Sequence, residues 1–238
     1  MIVPGDPASR DKIIKATNSQ TSIPPASLRA TDKIHRDIED HLKPRGLFYD
    51  RRKNFYKNQS IPAEKIVAIP YLAQAVMAIA LRRPDNARSR PSSLLKNDED
   101  CKQVFDANRS IDVYFVCASL MKRAEGYLRT DNSVGATAKG NIRFHVAMAA
   151  VGLHTGVSAP SMKQIGEIDP FGVTDATLAQ GTELVFAEFN SMGGTDAVAK
   201  SGDFSQRVSD RIKHLLHPQA KREPAKGAAE TGPGEAGN

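Results

Sequence analysis

IPYLAQAVMAIAL, residues 69–81, is the run on which the fold turns. It is apolar on every side, with Gln74 as its one strongly polar member. A helix that is hydrophobic all round belongs in a protein core or in a membrane. A bilayer span needs about 20 such residues. This run is shorter, so it reads as a core helix. Ile66 and Val67 lead into it, Pro70 suits a first helical turn, and Pro84 cannot continue it. The expectation is a helix over 70–82, covered by other elements on nearly all faces.

Those covering elements are legible outward from it. Ile34, Ile38 and Leu42 recur every four residues and mark one face of a helix over 32–43. Thr31 or Asp32 can cap its start, and Gly46 can close its end behind Lys43 and Arg45. An earlier helix opens at Asp6-Pro7, carries Ile13, Ile14 and Thr17, and ends in residues 16–25 at Pro24-Pro25. Residues 85–97 are basic and broken by Pro and Ser, so they read as loop with a helical turn. Helices are expected near 98–106 and 110–129, the second with Val113, Val116, Cys117, Leu120 and Met121 on one stripe. DNSVGATAKGN, 131–141, reads as loop. Helices return at 142–153, with Phe144, Met148 and Val151 inward, and at 174–191 and 203–216 after a break at 166–172. Phe186, Phe189, Val208, Ile212 and Leu215 are their core candidates. From His217 to Asn238 there is no Ile, Leu, Val, Met, Phe, Trp or Tyr, and such a tail is expected to be disordered. The fold class is mainly α: a multi-helix globular domain with 1–130 as a first helical region, 131–216 continuing it, and 217–238 as tail.

One stretch departs from the helical pattern. GLFYDRRKNFYKN, 46–58, places two Phe-Tyr pairs, 48–49 and 55–56, around Arg51, Arg52 and Lys53, in a chain only 6% aromatic. Alternating aromatics around Lys53-Asn54 suggest a short β-hairpin near 47–56, with Asn54 at a positive-φ turn position. Net charge is +6, and its excess is concentrated here. Residues 43–57 hold six basic side chains against one acid, and 82–96 hold five against one. Clusters of this kind attract polyanions, although charge runs are also ordinary solvated surface. Read functionally, Arg45, Arg51, Arg52, Lys53 and Lys57 engage phosphates while Tyr49 or Tyr56 stacks on a base. Read structurally, the rings pack on the 70–82 helix and the charges stay in water. At least two of the four aromatics are expected to be structural.

Other chemistries find little support. Pro84-Asp85 with Asp100-Cys101-Lys102 matches a metal-nuclease pattern on paper, but there the carboxylates ride on adjacent strands. Here a helix stop and a helix cap read better. The histidines are scattered, His35 and His41 lack the spacing of two ligands on one helix face, and Cys101 and Cys117 form no metal or disulfide framework. GATAKGN has neither Walker spacing nor a preceding strand. No Ser-His-acid set can be picked out. The catalytic, metal and cofactor expectations are therefore none. The N-terminus lacks the order of a signal peptide, and a cytoplasmic protein with no membrane contact is expected.

Several of these pieces occur together in order. ATNSQ (16–20), Leu28-Arg29-Ala30, Asp32, a helix, GLFYDRRK (46–53), a buried helix and RRPDNARSRPSSLL (82–95) resemble the C-terminal part of the abortive infection phage resistance (AIPR) proteins. The resemblance is good over 11–130 and weaker to about 216. It implies bacterial anti-phage defence, with nuclease-like activity in regions upstream of the part seen here. On that basis the chain is expected to be the truncated or split back end of such a protein, non-catalytic itself. Expected partners are DNA or RNA, or an upstream nuclease-like domain or subunit. The alternative is an assembly or sensing domain that touches no nucleic acid. The resemblance assigns no role to Asn18, Gln20 or Arg29. Asn18 and Gln20 suit loop-locking hydrogen bonds.

Overall fold

The structure, a computed structural model, describes residues 6, 7, 9, 12, 13, 29–89, 95 and 98–218. Among the described residues, ten α-helices and two short strands follow one another from residue 33. They are α1 (Lys33–Leu42), β1 (Phe48–Asp50), β2 (Ile66–Ala68), α2 (Ile69–Ile79), α3 (Pro84–Ser89), α4 (Asp98–Val104), α5 (Ile111–Thr130), α6 (Ala136–Thr155), α7 (Met162–Gly166), α8 (Asp175–Ser191), α9 (Asp196–Ala199) and α10 (Gly202–Leu216). The mainly α expectation holds. No described helix is long and apolar enough to cross a membrane. In the N-terminal segment Pro7, Ser9, Lys12 and Ile13 are helical, and the Asp6 carboxylate accepts the Ser9 N–H at 2.8 Å, as a cap does. The rest of that helix, Asn18, Gln20 and the tail beyond 218 lie outside the described residues.

The 69–81 stretch is the centre of the molecule. Leu72, Ala73, Ala75, Val76, Met77, Ala78 and Ile79 of α2 are all buried, each large aliphatic contributing about 1.5–3 kcal/mol on full burial. Its small Ala positions let α3, α5 and α6 pack against it. Gln74 is accommodated because its Nε2 donates to the Ala87 carbonyl of α3 at 2.9 Å. The helix closes through Arg82, held at φ 55°. A non-glycine residue there is strained by about 1 kcal/mol or more, and Arg82 Nη2 is anchored on Ser209 Oγ at 3.0 Å. A second hydrophobic cluster joins α6, α8 and α10 through Ile142, Val146, Val185, Phe189, Phe204, Val208 and Ile212.

Three expectations are corrected. The β element is real, but it is not a hairpin. β1 pairs in parallel with β2, Tyr49 opposite Val67, across an intervening connection of the length parallel strands need. The reason is Asp50. Its carboxylate accepts the backbone N–H groups of Asn54 and Phe55 at 2.9 and 3.1 Å. Those donors are thereby withdrawn from any return strand, and the chain coils into a turn with Asn54 at φ 66°. Second, α6 begins at Ala136, inside the segment read as loop. Asn141 is buried there because Arg88 Nη2 donates to its Oδ1 at 2.9 Å, so a residue that reads as loop-forming is a tertiary anchor. Third, Leu215 is exposed. Phe204, Val208, Ile212 and Leu216 form the inward four-residue series, and Leu215 falls off it.

Candidate nucleic-acid interface

The aromatic-basic stretch is folded around one acid that sequence reasoning missed, Glu39 of α1. Its Oε2 accepts Arg51 Nε at 2.5 Å, and its Oε1 accepts the Tyr56 hydroxyl at 2.7 Å. Arg51 Nη1 also donates to the Ala30 carbonyl at 2.9 Å. Burial first and the Glu39 carboxylate second push the Tyr56 phenol up to about 12. Tyr49 is fully buried, with its Oη 2.8 Å from His35 Nδ1, and burial pushes its phenol well above the ordinary value. Neither tyrosine offers a ring face to solvent, and Arg51 is committed inward. The two-residue aromatic pairs thus divide: Tyr49 and Tyr56 anchor, while Phe55 packs edge-on to Tyr56 at 5.0 Å and stays 44% exposed.

The outward face of the turn is cationic. Arg52, Lys53 and Lys57 are exposed, and their side chains make no hydrogen bond or ion pair with the described residues. Arg45 stands elsewhere. Its guanidinium caps the His41 carbonyl at 2.9 Å, lies over Phe115 at 5.5 Å and reaches Asp112 at 3.8 Å. Burial and Arg45 lower the His41 pKa against the opposing pull of Asp112. Arg29 is half-exposed in the turn that precedes α1, its carbonyl accepting the Asp32 N–H at 2.9 Å. Beside the cationic turn runs an open groove of about 750 Å³, whose lining includes Asn54, Lys57, Tyr71, Lys122 and Arg129.

The second basic run behaves differently. Arg82 holds Ser209, and Arg88 joins Asn141 to Asp196 at 2.9 and 2.8 Å. Arg90 and Lys96 lie outside the described residues. This run fastens α3 to α6, α9 and α10.

The structure also assembles a Ser-His-acid chain that the sequence did not reveal. His145 Nε2 lies 3.1 Å from Ser205 Oγ, which donates to Asp85 Oδ1 at 3.2 Å. Burial lowers the His145 pKa to about 3, so the imidazole is neutral. With Ser205 donating to Asp85, Nε2–H must donate to Ser205. The acid therefore sits on the serine, whereas a catalytic acid orients the imidazole through Nδ1. His145 Nδ1 has no hydrogen-bond partner among the described residues. The wiring ties α3, α6 and α10 together without activating a nucleophile. It also commits Asp85 of α3 to Ser205 of α10, and no group of three His, Cys, Asp or Glu suited to a metal occurs among the described residues. Asp85, Asp100 and Lys102 gain no support as a nuclease site.

Fold and site together define a mainly α protein that presents a rigidly held cationic turn beside a groove. The chain belongs to the AIPR protein family, whose model matches residues 5–194. The match extends beyond 11–130 at both ends and stops short of α10, which nonetheless completes the second hydrophobic cluster. Membership points to a role in abortive-infection phage resistance. No curated protein and no solved structure matches the chain.

Proposed function

We propose that this chain is a non-catalytic helical module of a bacterial phage-defence protein, and that it contacts nucleic acid through the turn Arg52–Lys57. The observation that carries the reading is the division of labour within one short stretch. Arg51, Tyr49 and Tyr56 lock the turn from inside, which leaves Arg52, Lys53 and Lys57 held outward on a fixed frame. A preorganised set of cations loses less freedom on binding a polyanion than the same cations on a loose loop. In this reading a nuclease-like region or subunit supplies the effector chemistry.

The alternative, an assembly or sensing domain that docks on a protein, needs the same stretch to act as an aromatic-arginine hot spot. With both tyrosines and Arg51 turned inward, one exposed ring, Phe55, is left to support it. The test is binding to DNA and RNA over a salt titration. Replacing Arg52, Lys53 and Lys57 together by Gln should weaken binding and reduce the log–log salt slope by about 2–3. Absence of binding to either polymer at low salt would overturn the proposal.

A further inference from the structure

We infer that the nucleic acid this turn takes is single-stranded, with an unpaired base stacked on Phe55 and the strand continuing past Lys57 into the adjacent groove. The inference rests on the nucleic-acid reading above and names the class of polymer.

Phe55 is the reason to look for an unpaired base. A large apolar ring left 44% exposed loses hydrophobic stabilisation, and here it is exposed in the middle of the free cations, with Arg52 and Lys53 before it and Lys57 after it. It is not loosely placed. It leans on Tyr56, which Glu39 fixes, and its own backbone N–H is held by Asp50. A rigid aromatic platform flanked by phosphate-binding cations is the pattern of sequence-tolerant single-strand binding. In a duplex the base faces are already stacked and cannot use such a platform.

The groove agrees in size. At about 750 Å³ it is in the range of sites that take compact small ligands. That volume is enough for a nucleotide or two of a single strand. Its lining includes Asn54 and Lys57, chain neighbours of Phe55, together with Lys122 and Arg129, while Phe55 itself borders a smaller hollow with Arg51 and Arg52. Lys122 lies 4.9 Å over the Tyr71 ring, so aromatic and cationic surface recur together inside. Three carboxylates also line the groove. Asp50 is turned onto backbone N–H groups, and Glu125 is held between the Tyr71 hydroxyl at 2.9 Å and Arg143 at 3.6 Å. Glu64 is the remaining one, and its charge is felt by Lys122.

The experiment compares a short mixed-sequence single strand, as DNA and as RNA, with its annealed duplex, using the whole chain and its Phe55 variants at fixed salt. Phe55→Ala should lower single-strand affinity about 5- to 100-fold. Its salt slope should be unchanged, because no phosphate contact is removed. Phe55→Trp should retain affinity, and Phe55→Leu, apolar but without a π face, should not. Thermal melts confirm that these variants fold. A duplex bound as tightly as the single strand, or Phe55→Leu behaving as wild type, would overturn the single-strand assignment while leaving the cationic turn a nucleic-acid site. No binding to any probe would overturn both.

Discussion

Glu39→Ala removes the carboxylate around which the aromatic-basic stretch is folded. Breaking a buried ion pair from one side costs about 3–5 kcal/mol. The Arg51 and Glu39 side chains keep 23% and 16% exposure, so solvent screening brings the loss to about 2 kcal/mol. The Tyr56 hydroxyl also loses its acceptor, worth about 1 kcal/mol. The sum, about 3 kcal/mol, corresponds to a melting shift of roughly 6–12 °C for a domain of this size. Glu39→Gln keeps an acceptor for Tyr56 and loses the charge, so it should cost about half as much. The chain contains no Trp, so urea unfolding followed by far-UV circular dichroism is the suitable assay. A double-mutant cycle with Arg51→Ala should return a coupling of about 1–2 kcal/mol. A loss below about 0.5 kcal/mol for Glu39→Ala, with additive singles, would refute the idea that Glu39 holds the turn.

His145 gives a pH signature. Its folded pKa, about 3, lies below the ordinary value of 6.5, so the unfolded chain binds more protons between those values. The stabilisation is complete above pH 6.5 and falls as pH drops through that window, by about 1.4 kcal/mol per unit; stability curves at stepped pH should show this component, and His145→Gln should remove it. Asp85→Ala takes the acceptor from Ser205 and an anion from beside the start of α10, where a Cβ at Gly202 would stand 4.0 Å from Asp85 Oδ2. The expected loss is about 1–2 kcal/mol by urea unfolding, with Mg²⁺-dependent cleavage absent in wild type and variant alike. Asn54→Val places a β-branched residue at φ 66° and should cost about 1–2 kcal/mol, whereas Asn54→Gly should be nearly neutral.

Period and punctuation carried most of the architecture. The 69–81 run, the Ile34-Ile38-Leu42 stripe and the stripe from Val113 to Met121 all mark helices whose apolar residues are buried or packed against the core. These signals are local, and local signals survive in sequence. What failed was tertiary. Asp50 could be a strand residue or a turn cap, and only the chain's return past it decides. Asn141 and Gly140 look like loop until Arg88 arrives from a distant helix. Within the site, Phe55 and the cations at 52, 53 and 57 face outward. Tyr49, Arg51 and Tyr56, equally plausible from composition, face His35 and Glu39. His35 and Glu39 lie one helical turn apart on the same side of α1, and that spacing was the one available sign of a polar pair facing the fold.

Whether nucleic acid sits on the Arg52–Lys57 surface decides the proposed function. Lysine acetylation read by mass spectrometry, with and without a saturating single strand, tests this directly. Lys53 and Lys57 should be protected, while Lys163, whose side chain is 85% exposed on α7, should react at the same rate in both samples. Protection of Lys163 equal to that of Lys53 and Lys57, or protection of neither turn lysine, would contradict the account.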